Sequence, residues 1–454
     1  MADIMNSFDI LILGGGPAGY VAAERAGSNG LKVCLFEKRS LGGVCLNEGC
    51  IPSKALLNSA KIYENALNGK EYGVFTSDIR LDHGAVIKRK SKVVRKLVGG
   101  VKLQMKGANV NVVDGEGIIS GKTEQGFCVM ANGEKFYGKN LIIATGSSPS
   151  LPPIQGLKGS LESGFALTNR EILDIKEVPE RLAVVGGGVI GLEMAAYYNA
   201  AGSKVTVIEM LDHIAGFTES EVSAMLLADM KKQGVEFMLG ARVTAIENGK
   251  VSSDKGDVTA DKVLVSIGRR ANTQGAGLES LGVYVERGAV VTDERMMTNV
   301  PGVYAAGDVN GKSMLAHTAY REAEVAVNNI MGRRDIMRYD AIPAVIYTHP
   351  EVAGVGHTLE SAKSEGIDAI EAKLPMAYSG RFVAENTGEG ICKVIVDKKN
   401  SILIGVHMLG TYSSEIIYGA AAMIEMQLRV DDIKEIVFPH PTVAEIIRET
   451  IFTV

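Results

Sequence analysis

Two cysteines in GGVCLNEGCIPSK, Gly42 to Lys54, carry the most evident reactive chemistry in the chain. Cys45 and Cys50 have four residues between them and are two of five cysteines in all. Thiols so spaced can form a metal half-site, a structural staple, or a pair that gains and loses electrons. A zinc site needs a second pair or histidines. Cys34, Cys128 and Cys392 stand singly and no histidine lies nearby in sequence, so no metal is expected. An odd cysteine count argues against a disulfide framework. Five positions of an ideal helix rise about 7.5 Å, more than the ~6.8 Å a disulfide tolerates between Cα atoms. Pairing therefore requires a distorted or only starting helix. Gly49 supplies backbone freedom and Pro52 suits a first helical turn. A strained bond in so short a loop is easily reduced, which fits a redox pair better than a staple.

Two longer segments must position such a pair. Ile10 to Glu37, ILILGGGPAGYVAAERAGSNGLKVCLFE, aligns without a gap with Leu182 to Glu209, LAVVGGGVIGLEMAAYYNAAGSKVTVIE. Each opens on an apolar run that reads as a buried parallel strand. Each continues with G-x-G-x-x-G, at Gly14, Gly16 and Gly19 and again at Gly186, Gly188 and Gly191. An Ala-rich helical stretch and a second β-rich run follow, ending in Glu37 and Glu209, each 23 residues after its first glycine. The glycines allow a tight turn, close approach of a pyrophosphate and packing of helix on strand. The helix N-terminus attracts the phosphates, and the terminal acid accepts ribose hydroxyls. Glu209 would repel a 2′-phosphate, and no Lys or Arg follows it until Lys231, so the second site reads as NAD rather than NADP. The copies differ where Val21 in the first is matched by Glu193 in the second, a carboxylate suited to a nicotinamide amide or to the helix dipole. KNLIIATGSSP and DKVLVSIGRRAN form a second echo: buried-strand runs ending at Gly146 and Gly268, each closing its own unit.

The expected fold is α/β, with two Rossmann-like dinucleotide-binding domains, one inserted in the other, and a C-terminal α+β dimerisation domain. The boundaries expected are 1–149 and 267–337 for the first domain, 150–266 for the second and 338–454 for the third. A chain of 454 residues with 53 glycines and 46% apolar residues suits this organisation. Net charge is 48 − 53 = −5, read as having no basic block, so neither nucleic acid nor an anionic membrane is expected as a partner. The N-terminus shows no secretory or organelle signal, and no apolar run reaches the ~18 residues of a membrane span. A cytoplasmic location is expected.

CLNEGCIPSK resembles the active-site motif of the FAD-dependent pyridine nucleotide–disulfide oxidoreductases. ATGSSP, GGGVIGLE, VSIGRRANT, VYAAGDV, MLAHTAYREA and FPHPTVAEI match other motifs of that family, so the resemblance covers nearly the whole chain. It implies FAD on the first dinucleotide domain and NAD on the second. Cys45 would exchange with substrate, Cys50 would face the flavin, and Lys54 would pair with Glu193 beside it. Asp308 would meet the ribitol, with Ala316 and His317 near the ring system. His440, oriented by Glu445, would be the base, supplied across a homodimer. His349–Pro350 repeats the dipeptide without a comparable acid and is read as structural. The IPSK ending points to members that oxidise protein-bound dihydrolipoyl groups with NAD⁺ within 2-oxo acid dehydrogenase or glycine cleavage complexes. No lipoyl domain precedes Asp9, so the substrate is expected on another chain. Alternatives are a mercuric- or glutathione-type flavoprotein reductase, or a nucleotide-binding redox sensor. Glu48 departs from the apolar residue, often Val, usual at its position.

Overall fold

The computed structural model describes residues 6–247, 249–385 and 388–454. The chain forms two compact units, each assembled from separated segments. The first comprises Met1–Ala55, Gly84–Leu151 and Gly268–Arg338, and the second Leu56–His83, Pro152–Ile267 and Tyr339–Val454.

In the first unit the apolar run after Ser7 forms strand Ser7–Leu13, parallel to Val33–Glu37 on one side and to Glu134–Ile143 on the other. Asn111–Asp114 extends this sheet beyond Val33–Glu37, and Val303–Ala305 pairs in parallel with Glu134–Ile143. Ile10, Leu11 and Ile12 are fully buried, as two-faced burial of a parallel strand requires. Phe36, Phe127, Leu141 and Ile143 complete the core on one face. Burial of each such side chain is worth about 1.5–3 kcal/mol. Helix α1 (Pro17–Ser28) follows the glycine turn, with its proline in the first turn where no N–H is missed. Helix α2 (Gly43–Glu48) and helix α3 (Cys50–Leu67) follow, then helix α4 (His83–Gly107).

The second unit repeats the plan. Arg181–Val185 lies parallel to Lys204–Glu209 and to Lys262–Val265, and the sheet runs on to Glu236–Leu239 and Ala166–Leu167. Its core gathers Ala183, Val185, Val263 and Val265. The last third adds an antiparallel sheet ordered Ala344–Ile346, Val352–Gly356, Ile402–Leu409, Ile391–Asp397 and Ala369–Pro375. Helix Ser413–Glu425 packs on it through Ile417, Ala420 and Ile424. This is the α+β arrangement expected from its mixed β-rich and helical runs. Among the described residues no helix is long and apolar enough to cross a membrane.

Charge is less evenly spread than the composition implies. The reading of no basic block misses α4, which carries Lys88, Arg89, Lys90, Lys92, Arg95 and Lys96 within nine residues and no acid along its whole length.

Candidate redox-active site

Both glycine turns are drawn tight in the same way. A Cβ on Gly19 would lie 1.7 Å from the Gly14 carbonyl oxygen, and one on Gly191 would lie 2.1 Å from that of Gly186. No side chain fits at either position, so these glycines are demanded by helix-on-strand packing. The acids close on the turns. Glu37 Oε2 accepts from the Gly15 N–H at 2.7 Å, and its Oε1 from Arg39 N–H, also at 2.7 Å. Glu209 Oε2 accepts from Gly187 N–H at 2.6 Å and its Oε1 from Leu211 N–H at 2.8 Å. The duplication read from the sequence thus extends to hydrogen bonds.

The cysteines stand where the helix breaks. Cys45 lies within α2, Gly49 leaves helical geometry at φ −150° and ψ −111°, and Cys50 opens α3. Pro52 falls in the first turn of α3, as its ring requires. Asn47 Nδ2 donates to the carbonyls of Leu41 and Gly43 at 3.1 and 2.9 Å, pinning the loop between the cysteines. Both sulfurs are thiols, Cys45 half-buried and Cys50 exposed. The Cys45 thiol is held well above the ordinary cysteine value, first by its hydrogen bond with Cys50 and then by burial. Lys54, one turn further along α3, acts in the opposite direction. The 18-residue α3 directs its positive end at Cys50, which favours negative charge there.

A polar cluster adjoins the pair, of which the sequence pointed to Asp308 but not to Arg269 or Ser147. Arg269 Nε donates to Ser147 Oγ at 2.7 Å and Nη2 to the Ser147 carbonyl at 2.8 Å. Ser147 Oγ in turn donates to Asp308 Oδ2. Burial pulls Arg269 below the ordinary arginine value, opposed by the charges of Asp308, Glu48 and Cys50. Glu48 itself pairs with Arg39, Nη1 to Oε1, at 3.0 Å. The atypical residue of the motif is therefore a charge partner. Tyr20 and Tyr320 share a 2.6 Å hydrogen bond, and the field of both cysteines acts on both phenols. Only the position of Tyr20, next to Gly19, and of Tyr320, within the LAHTAY run, hinted at them.

The remaining candidates fall as follows. Gly146 and Gly268 flank the antiparallel pair Ser147–Pro149 and Arg269–Ala271. The Gly146 carbonyl accepts from Asn272 N–H and that of Gly268 from Ser150 N–H, both at 2.9 Å. Ala316 is the first residue of helix Ala316–Ile330, and His317 is the second. In the second unit Glu193 is 3% exposed and its Oε1 accepts from Tyr347 N–H at 3.1 Å. His440 Nδ1 lies 2.9 Å from Glu445 Oε1, while Glu445 Oε2 accepts from Thr442 N–H at 2.8 Å. That backbone bond, and then His440, hold the Glu445 carboxyl below its ordinary value. His440 is exposed. His349 is instead half-buried, and desolvation holds it below the usual histidine value. Cys34 and Cys392 are buried, each pushed up to about 12 by burial, and Cys128 is buried too.

The model of the pyridine nucleotide-disulphide oxidoreductase matches residues 8–323, and that of the dimerisation domain of the same oxidoreductase matches 342–451. The chain belongs to the pyridine nucleotide-disulphide oxidoreductase family. It is 37% identical over 450 residues to the dihydrolipoyl dehydrogenase of Mycoplasma genitalium, covering 97% of each chain. It is 38% identical over 467 residues to that of Geobacillus stearothermophilus, covering 99% of this chain and 96% of the other. Among solved structures it resembles LpdA from Mycobacterium tuberculosis, with a TM-score of 0.91 at 25% identity, covering 98% and 99% of the two chains.

The family implies two nucleotide cofactors, and the turns fit them. A Cβ on Gly16 would meet only Gly43 Cα, at 3.8 Å, and one on Gly188 would meet nothing within 4 Å. The backbone at the head of each helix is therefore open to a pyrophosphate.

Proposed function

We propose that the chain is a dihydrolipoyl dehydrogenase, oxidising protein-bound dihydrolipoyl groups to lipoyl with NAD⁺ as acceptor. The observation that carries this reading is the hydrogen-bonded Cys45–Cys50 pair at the break between α2 and α3, in a chain with full-length likeness to dihydrolipoyl dehydrogenases. Residues 1–149 and 267–337 hold FAD, 150–266 hold NAD, and 338–454 form the interface of a homodimer. Gly14, Gly16 and Gly19 seat the FAD pyrophosphate, with Glu37 at the ribose and Gly146, Asp308 and Ala316 along the rest of the cofactor. Gly186, Gly188 and Gly191 seat NAD, with Glu209 at its ribose and Gly268 at the return strand.

The residues act in sequence. In the oxidised pair Cys45 Sγ is bonded to Cys50 Sγ. His440 of the partner subunit takes the proton of one substrate thiol, and the resulting thiolate attacks Cys45 Sγ. Cys50 leaves as a thiolate, favoured by the positive end of α3. The second substrate thiol then attacks the first substrate sulfur, its proton passing to the departing Cys45 sulfur, so that the lipoyl disulfide closes and Cys45 is released as a thiol. Glu445 keeps the imidazole of His440 in one tautomer. Bound FAD carries the two electrons from the dithiol pair to NAD⁺. The reading carries with it a cytoplasmic location, where thiols are kept reduced, and a lipoyl-bearing partner from a 2-oxo acid dehydrogenase or glycine cleavage system. Cys45→Ser and Cys50→Ser test it: each should abolish dihydrolipoamide oxidation while leaving both nucleotides bound. Retention of more than a tenth of the activity in either would exclude a two-cysteine mechanism.

A further inference from the structure

Helix α4 carries lysine and arginine but no carboxylate, in a chain whose net charge is −5. At ~100° per residue Lys88, Lys92, Arg95, Lys102 and Lys106 fall within about 80° of arc, forming a stripe about 27 Å long. All five are exposed. Among the described residues no ion pair ties them to an acid. The opposite face bears Val101 and Met105, which are buried, so packing holds the stripe outward. Lys88 with Lys92 and Lys102 with Lys106 are like charges four apart, which destabilise a helix by about 0.2–0.5 kcal/mol per pair. The stripe thus works against the stability of the helix that bears it. Leu103, 71% exposed, lies along its edge.

The helix belongs to the same compact unit as the redox cysteines. Arg89 Nη1 donates to the Ala55 carbonyl at 3.4 Å, which ties α4 to the helix that Cys50 opens, one residue beyond Lys54. We propose that the basic face of α4 docks the acidic carrier domain that delivers the dihydrolipoyl arm to Cys45 and Cys50. The inference rests on the dihydrolipoyl reading above, since only a substrate held on a protein needs a surface beside the site. Charge complementarity over such a stripe raises the association rate and fades as salt screens it. The stripe contains no aromatic side chain on which a base could stack, and Leu103 offers an apolar contact, so a protein fits better than a nucleic acid.

The test compares two substrates on the FAD-loaded enzyme with NAD⁺: free dihydrolipoamide, and an isolated, reduced lipoyl domain of net negative charge. Reversing Lys88, Lys92, Arg95 and Lys102 to Glu should raise KM for the lipoyl domain at least about tenfold at low ionic strength. The difference should shrink in ~0.5 M salt, where the Debye length is only a few ångströms. Activity on free dihydrolipoamide and the thermal midpoint should stay within twofold and about 2 °C of the parent. The milder Lys92→Gln/Arg95→Gln pair should show a smaller rise in the same direction and decides the matter if the quadruple variant fails to fold. An unchanged KM for the lipoyl domain overturns the proposal. So does an equal loss on free dihydrolipoamide, or the same KM change with a lipoyl domain whose surface acids are replaced by amides. Binding of phosphatidylserine vesicles or duplex DNA that the variants lose, with KM for the lipoyl domain unmoved, also overturns it. If the parent enzyme fails on free dihydrolipoamide, the activity reading falls instead, and the two failures are told apart.

Discussion

Lys393 should be the most costly single charge to remove. It sits on Ile391–Asp397 and is 4% exposed. Its Nζ lies 2.7 Å from Glu219 Oε1, 3.0 Å from Glu221 Oε2 and 3.1 Å from Glu371 Oε2. Burial opposes its charge, and the three carboxylates outweigh burial, so the ammonium lies above the ordinary lysine value. For Glu219 burial likewise pushes the carboxyl up, and Lys393 with the Val222 N–H brings it below the ordinary value. Lys393→Met keeps most of the aliphatic stem and removes the ammonium, leaving three acids for which Lys373, on Glu221, is the one remaining cation among the described residues. Breaking one side of a buried pair costs about 3–5 kcal/mol. For a unit of this size that lowers the unfolding midpoint by roughly 6–20 °C. Removing the exposed Arg381–Glu385 pair should cost at most ~1 kcal/mol and serves as the control. The pH dependence has a definite sign. The stabilising shift of Glu219 and Glu221 is present above the carboxylate range and is lost as pH falls through their depressed values. That of Lys393 is present below the lysine range and is lost as pH rises through its elevated value. In Lys393→Met the stranded acids gain from protonation, so the deficit should shrink between about pH 8 and about pH 5. Urea unfolding across that range reads it, with Glu219→Gln added to the Lys393→Met background recovering part of the loss. A Lys393→Met variant within ~1 kcal/mol of the parent, at constant slope, would show that the buried ammonium contributes no more than an exposed pair.

Three further outcomes follow from the site. His440→Gln should lower kcat for dihydrolipoamide by about 10²–10⁴, and Glu445→Gln by at least about tenfold, since an amide cannot hold the same tautomer; equal activity in either, by steady-state assay, contradicts the assigned base. Glu48→Val removes the partner of Arg39 and a charge that balances Arg269, favouring the thiolates. At ~0.2–1 kcal/mol for a partly exposed pair, the reduction potential of the Cys45–Cys50 couple should rise by about 5–20 mV, read by equilibration with a dithiol buffer; a fall would reverse the sign assigned to Glu48. Gly191→Ala would place a carbon 2.1 Å from the Gly186 carbonyl oxygen and should abolish NAD binding or unfold the second unit, whereas Gly188→Ala, in open space, should fold and weaken NAD binding alone. Calorimetric titration with NAD⁺ distinguishes the two.

The glycine turns were legible because their constraint is local. Gly19 and Gly191 are packed against their own turns, so the requirement shows as a fixed spacing in a single segment. The buried strands were legible for a related reason, since two-faced burial leaves continuous apolar runs such as ILIL and AVV. His440 and Glu445 were found through neighbours in the chain, and the structure joins them directly. Asp308 was legible in its own motif, but its partners Ser147 and Arg269 were not, because Ser147 lies more than a hundred residues from either of the other two in sequence. Lys393 escaped likewise, since Glu219 and Glu221 lie more than 170 residues before it. Nor does any local signal assign Leu56–His83 to the second unit while the residues on either side belong to the first. The stripe on α4 was visible in the letters, but its meaning lay in helical phase. A net charge summed over the chain hides five cations that share one face.

The central claim is that this chain moves electrons from a dihydrolipoyl dithiol to NAD⁺. Its most direct test is NAD⁺ reduction by the purified, FAD-loaded protein with dihydrolipoamide as donor, run beside NADP⁺ and beside reduced glutathione. Rapid NADH formation is expected with dihydrolipoamide, at least about tenfold slower reduction of NADP⁺ if Glu209 repels a 2′-phosphate, and none with glutathione. NADP⁺ preference, or no reaction with dihydrolipoamide while flavin is bound and both cysteines are intact, would contradict it.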